Sequence, residues 1–314
     1  MYYFRKKKQI LPIIFSLLTP FCVSCRRVPT PSTPNEQFST ENNASSIDNE
    51  RTDQHFSGDF SEDFTDYIID DFPPPQAVLP TPTAPDPAIW DVTDVDISYI
   101  DPARKLISFT FDDAPAKTLE SILAVFAAFN EDNPDCQATA TLFCNGLYFD
   151  NQSTQLLHAA RALGFELGNH SYSHFDLTTL DPSQIEWEIA ATDEILSRID
   201  GKEKHLFRAP FGRIDETVRA QIQTPIMNWT IDTLDWTSAS EKDVYTAVWE
   251  HKFSGGIVLM HDGYGNTVSA LKRLLPDLKE AGYQVVSLSA MAKAHGVSLR
   301  NGGEYIRARK KGDG

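Results

Sequence analysis

The sequence predicts an α/β protein, a distorted (β/α)7 TIM-like barrel at residues 95–300, preceded by a disordered acidic linker. Three observations predict it. From Val95 onward, runs with strand character alternate with runs of helical period, the order that builds a parallel sheet. About seven such units follow one another, which suits a closed barrel better than an open sheet. Residues 26–94, by contrast, are rich in Pro, Ser, Thr, Asn and acids and hold no sustained period of 3.6 or 2.

Taken in order, 105–111 reads as a strand and 118–129 as a helix with Leu119, Ile122, Leu123, Phe126 and Phe129 on one face. A strand at 138–143, a helix at 154–163 and a short strand at 165–167 come next. The helix at 182–199 is long and amphipathic, with Asp181 as its N-cap ahead of Pro182. Then follow a strand at 205–207, a short helix at 215–223, a strand at 225–229 and a helix at 241–251. A strand at 256–260, a helix at 267–281 ended by Gly282, and a strand at 284–288 complete the series. Residues 301–314, with Arg307, Arg309, Lys310 and Lys311, read as a solvated basic tail.

The first 25 residues read as an export signal. Arg5, Lys6, Lys7 and Lys8 precede a mostly apolar run from Ile10 to Ser24 that is too short to span a bilayer comfortably. The run ends at Cys25, and the pattern resembles a bacterial lipoprotein signal in which that Cys becomes the lipidated first residue; an ordinary signal peptide is the other reading. Lipidation would tie the chain to a cell membrane or outer membrane, and ordinary secretion would leave it extracellular or periplasmic. Cys136 and Cys144, eight positions apart around a strand, are too distant to bridge and are expected as free thiols. Residues 31–103 carry sixteen acidic side chains and one basic one, whereas 104–314 carry twenty-eight and twenty-one, so the middle segment carries most of the net charge of -16. Nothing here has the basic footprint of a nucleic-acid binder, and the domain is expected to be monomeric.

The polar residues that need explaining fall at strand C-terminal ends: Asp112 and Asp113, His170 and His174, Arg208, and His261. In a βα barrel those ends meet on one face, where active sites form. Singly, each has a plain structural reading. Asp113 could cap a helix, Arg208 could serve an ion pair, Asp235 and Trp236 could form a capped turn, and His261 with Asp262 could form a bonded turn. His170 and His174, four positions apart, can place two imidazoles on one ion.

In this order the segments resemble the polysaccharide deacetylase family, the NodB-homology or carbohydrate esterase family 4 group. The residues that carry the resemblance are Thr110-Phe111-Asp112-Asp113, His170-Ser171-Tyr172-Ser173-His174, Arg208-Ala209-Pro210-Phe211-Gly212, Asp232-Thr233-Leu234-Asp235-Trp236 and Leu259-Met260-His261-Asp262. Ala114 departs from the Gly many members carry there. The resemblance implies that Asp113, His170 and His174 hold one divalent metal ion, zinc first and cobalt, nickel or manganese as alternatives. It implies Asp112 as general base with Arg208 keeping it ionised, and His261 as general acid with its pKa raised by Asp235. The backbone N–H of Phe211, next to Pro210, would face the oxyanion, while Trp236 and Leu259 would wall the acetyl pocket. The expected reaction is hydrolysis of N-acetyl groups on a cell-wall or extracellular polysaccharide of GlcNAc type. A small-amide amidase, or a catalytically silent glycan-binding lipoprotein on the same fold, are the competing readings. An export signal argues against the first, and an intact base and acid against the second.

Overall fold

The computed structural model describes residues 88–309 apart from Ser238. The export signal, Cys25, most of the acidic linker and residues 310–314 lie outside the described residues. The central strand is β1 (Lys105–Ala114), buried along nearly its whole length because both faces of a barrel strand are covered. It is followed by α1 (Leu119–Asp132), β2 (Thr141–Cys144), α2 (Asn151–Ala162), β3 (Glu166–Asn169) and α3 (Pro182–Asp200). Next come α4 (Glu216–Gln221), β4 (Ile226–Met227), β5 (Ile231–Asp232), α5 (Glu241–His251), β6 (Ile257–His261), α6 (Gly265–Glu280), β7 (Tyr283–Val285), α7 (Leu288–Ala294) and β8 (Glu304–Tyr305).

The helices form on buried stripes, reinforced in α2, α3, α4 and α5 by a capping side chain. In α1, Leu119, Ile122, Leu123 and Phe126 are buried at helical spacing against the sheet. The Asp181 side chain accepts from the N–H groups of Ser183 and Gln184, Gln184 reaches back to the Asp181 N–H, and Pro182 sits where no donor is needed. Gly201 ends α3 at φ 78°, the left-handed turn that only glycine adopts without strain.

The sheet runs β3-β2-β1-β6-β5, all parallel, with β7 joining β1 at its start. Phe207 bridges Asn169 on one side and Ile226 on the other, and so links β3 to β4 through a single residue. The expected strand at 205–207 is therefore reduced to bridges. The remaining gap is filled from the C-terminus: β8 pairs parallel with β4, and Arg307 then pairs antiparallel with Gly256 at the foot of β6. The result is a distorted barrel, closed by a segment that carries no strand period.

Two boundaries change. Residues 301–309 are not a solvated tail, since they close the barrel and bury Ala308. Residues 88–94, assigned to the linker by composition, also belong to the fold: Ile89 bridges Arg300 and the Trp90 N–H donates to the Leu299 carbonyl. The expected last strand at 284–288 splits into the end of β7 and the start of α7, whose first five residues are all buried and so show no stripe. Cys136 and Cys144 are free and buried. Among the described residues, no helix is long and apolar enough to cross a membrane.

Candidate active site

Asp112 and Asp113 lie near the C-terminal end of β1, His170 directly follows β3, Arg208 follows the Phe207 bridge, Asp235 follows β5, and His261 is the last residue of β6. The barrel thus brings all of them to one rim. Five non-glycine residues among those described have positive φ: Asp113 (62°), Ser171 (66°), His174 (59°), Phe211 (58°) and Leu234 (51°). All five fall within the motif segments. Left-handed backbone at such residues is costly and persists where the surroundings over-determine it, as at ligand-holding turns.

One carboxylate oxygen of Asp113 and one ring nitrogen each from His170 and His174 lie within 4.8 Å of one another. Asp113 Oδ1 is 3.4 Å from His174 Nε2 and 4.0 Å from His170 Nε2. Two ligand atoms each about 2.1 Å from one ion, at a tetrahedral angle, would sit about 3.4 Å apart, so the donor set fits a single divalent cation. The tautomer fits as well. His170 Nδ1–H donates to the Arg208 carbonyl at 2.7 Å, which leaves the Nε2 lone pair facing the carboxylate. Burial lowers the His174 pKa and favours the neutral, ligating form.

The turn that carries both histidines is held from behind by residues sequence reasoning missed. Asn145 donates to the His170 carbonyl, and the Ser171 N–H donates to the Asn169 side chain. Glu188, on the buried stripe of α3, accepts from the Tyr172 N–H at 2.9 Å, the Ser173 N–H at 2.8 Å and the Ser173 hydroxyl. A carboxylate inside the apolar stripe Ile185, Thr192, Leu196 was the available signal.

Arg208 is fully buried, its guanidinium 4.1 Å from the Phe143 ring centroid. It donates to Met227 O, Thr110 Oγ1 and Asp112 Oδ1, each at 2.7 Å, and to Asn228 O at 3.2 Å. Burial alone would raise the Asp112 carboxyl, but the Arg208 guanidinium bonded to it outweighs burial and holds it below the ordinary carboxylate range. Asp112 Oδ2 is 3.6 Å from His170 Nε2, so the ionised carboxylate stands beside the metal-ligand set.

On the other flank, Asp235 is completely buried and grips His261 twice, accepting from its Nδ1–H and its backbone N–H at 2.8 Å each. Thr267 donates its hydroxyl to the same carboxylate, and Asn266 ties down the Asp235 carbonyl. Burial pulls the His261 imidazole down, but the hydrogen bond to Asp235 and the charges of Asp112, Asp235 and Asp113 overcome it, so its pKa is raised. The Phe211 N–H is not used by its own turn, whose bonds run from Gly212 N to Ala209 O and from Arg213 N to Pro210 O. Pro210 is buried, and the Phe211 ring stands 4.8 Å from His174. Leu259 is buried in β6 opposite Asp232, and Trp236 is exposed on the loop that follows β5.

Fold and site together define a βα-barrel protein with a two-histidine, one-carboxylate cluster able to hold a metal ion, flanked by a buried carboxylate and a half-buried imidazole. The family profile for polysaccharide deacetylases matches residues 100–225. A peptidoglycan-N-acetylglucosamine deacetylase of Bacillus cereus is 31% identical over 200 residues, covering 60% of this chain and 89% of that protein. The chain belongs to the polysaccharide deacetylase family. A bifunctional xylanase/deacetylase of Pseudobutyrivibrio xylanivorans is 32% identical over 200 residues, 62% of this chain, and the match spans only 32% of that protein's length. Among solved structures, a family 4 acetyl xylan esterase from Clostridium thermocellum in complex with a cobalt ion superposes with a TM-score of 0.60 at 26% identity, covering 65% of this chain and 98% of that one.

Proposed function

We propose that this chain hydrolyses N-acetyl groups on a cell-wall or extracellular polysaccharide of GlcNAc type, releasing acetate and a free sugar amine. The observation that carries the reading is the convergence of Asp113, His170 and His174 within 4.8 Å, with the Asp112–Arg208 pair on one flank and the His261–Asp235 pair on the other. These three residues would hold one divalent ion, with zinc first and cobalt, nickel or manganese compatible with the same donors. When bound, that ion supplies Lewis acidity toward the acetamide carbonyl and acidifies water.

The chain's own residues do the rest. Asp112, kept ionised by Arg208, takes a proton from the attacking water. The Phe211 N–H, left free by its turn, donates to the developing oxyanion. His261, held protonated by Asp235, gives its proton to the departing sugar nitrogen, which cannot leave as an anion. Pro210 holds the turn that presents Phe211, and Trp236 with Leu259 walls the acetyl methyl group. The export pattern and Cys25 support an envelope location with a lipid anchor at that residue, the protein acting as a monomer. Incubating the purified chain with N-acetylated glucosamine oligomers and measuring acetate and new amine together tests the reading. Equal amounts of both should appear with wild type, and Asp112→Asn should lose roughly 10²–10⁴-fold in kcat. Acetate release undiminished in Asp112→Asn would remove Asp112 as base.

A further inference from the structure

An exposed aromatic groove lies beside the turn that carries His170 and His174. Phe175, directly after His174, is 59% exposed, and Trp187 on α3 is 42% exposed. With Leu180 they line a groove of about 370 Å³ between the turn and α3. Tyr172 packs edge-on against Trp187 with ring centroids 4.9 Å apart, so the indole is held in place and keeps an open face. The polar groups around the groove are already engaged. Ser183 Oγ and the Gln184 side chain serve the Asp181 cap, and Glu188 holds the Tyr172 and Ser173 backbone. What remains on offer is rigid aromatic surface on a turn clamped by a buried carboxylate. Phe175 and Trp187 line the same groove, so they offer a joint apolar surface rather than two scattered exposed side chains.

We infer that Phe175 and Trp187 form a distal sugar subsite, which takes a neutral pyranose residue of the polysaccharide one or more units away from the one being deacetylated. The occupant follows from continuity and chemistry. The groove begins one residue from His174, about 3.8 Å along the backbone, so a polymer with one acetamido group at the metal turn must pass this rim or leave by the opposite one. A sugar ring presents an apolar C–H face that stacks on aromatic surface. An anionic ligand would meet no cation among the lining residues Phe175, Leu180, Ser183, Gln184, Trp187 and Glu188. The inference rests on the polysaccharide reading above but adds a dependence on chain length.

The test compares a dimer and a hexamer of N-acetylglucosamine. For wild type, kcat/KM should rise from dimer to hexamer. In Trp187→Ala and in Phe175→Ala the loss on the hexamer should exceed the loss on the dimer about tenfold, the weight of one stacked ring, and should appear in KM rather than kcat. Trp187→Tyr, which keeps a flat platform, should restore most of the preference. Equal losses on both substrates, or an unchanged hexamer KM in both alanine variants, would overturn the subsite. Calorimetric titration with the same two oligomers separates the two readings. Trp187-dependent preference for the hexamer without turnover would keep the subsite and sink the deacetylase. Turnover with no such preference would do the reverse.

Discussion

Replacing Arg208 by Met isolates the buried ion pair on which the base depends. The wild-type guanidinium is inaccessible to solvent and engages four acceptors: Thr110 Oγ1, Asp112 Oδ1, Met227 O and Asn228 O. Met retains an unbranched apolar stem but none of these bonds, so a buried carboxylate and two backbone carbonyls lose their partner. Removing one member of a buried pair costs roughly 3–5 kcal/mol, a large part of the ~5–15 kcal/mol that holds a domain folded. Asp112→Asn alone strands the guanidinium in the same way. The double variant removes both charges and should be more stable than the sum of the single losses by roughly 2–3 kcal/mol, the upper range for contacting residues. Urea midpoints at constant slope provide the assay. Chelator in every sample keeps metal binding from adding its own stabilisation. Losses that simply add to within about 0.5 kcal/mol would refute the claim that Arg208 and Asp112 act as a pair.

The other predictions concern the ligands, the acid and a buried histidine. His170→Ala should bind far less metal than wild type by elemental analysis, because it deletes one of three donors; a full equivalent retained would remove His170 from the ligand set. Asp235→Asn should move the alkaline limb of the kcat/KM–pH profile to lower pH. The carboxylate raises the His261 pKa by favouring imidazolium, and its loss lets the proton leave earlier. A shift to higher pH would show that the acid lies elsewhere. His205 is buried between Asp193 and Asp200, with Nδ1 2.8 Å from Asp193 and Nε2 3.2 Å from Asp200. Burial lowers its pKa but the two carboxylates outweigh it, so the folded value is raised. Its contribution to stability is therefore fully present below the unfolded value of about 6.5 and is lost as pH rises through the folded one. The urea-midpoint advantage of wild type over His205→Phe should shrink across that window, and a gap that widens with pH would contradict the sign.

Local patterns made some of this structure legible and left the rest out of reach. The helices α3 and α5 announce themselves because stripe and cap point the same way, α1 does so by its stripe alone, and β1 and β6 do so as apolar runs ending in chemistry-bearing residues. The rim residues Asp112, Asp113, His170, His174, Arg208 and His261 could be read from that placement together with the family resemblance. Closure by β8 could not. Glu304 and Tyr305 make a two-residue strand whose partner lies about eighty positions back, and its basic neighbours look like solvated tail. The supports of the metal turn were equally hidden. Asn145, Asn169 and Glu188 act on backbone groups whose directions depend on left-handed residues such as Ser171 and His174, and no side-chain period reports those.

The most direct test of the account is a metal titration of catalysis. The purified chain, stripped with chelator, is returned to N-acetylglucosamine oligomers with increasing zinc, and acetate is measured at each addition. Acetate should be negligible without metal and should rise to a level reached at one equivalent, with His174→Ala flat throughout. Full acetate release in chelator, or a His174→Ala titration that follows wild type, would contradict it.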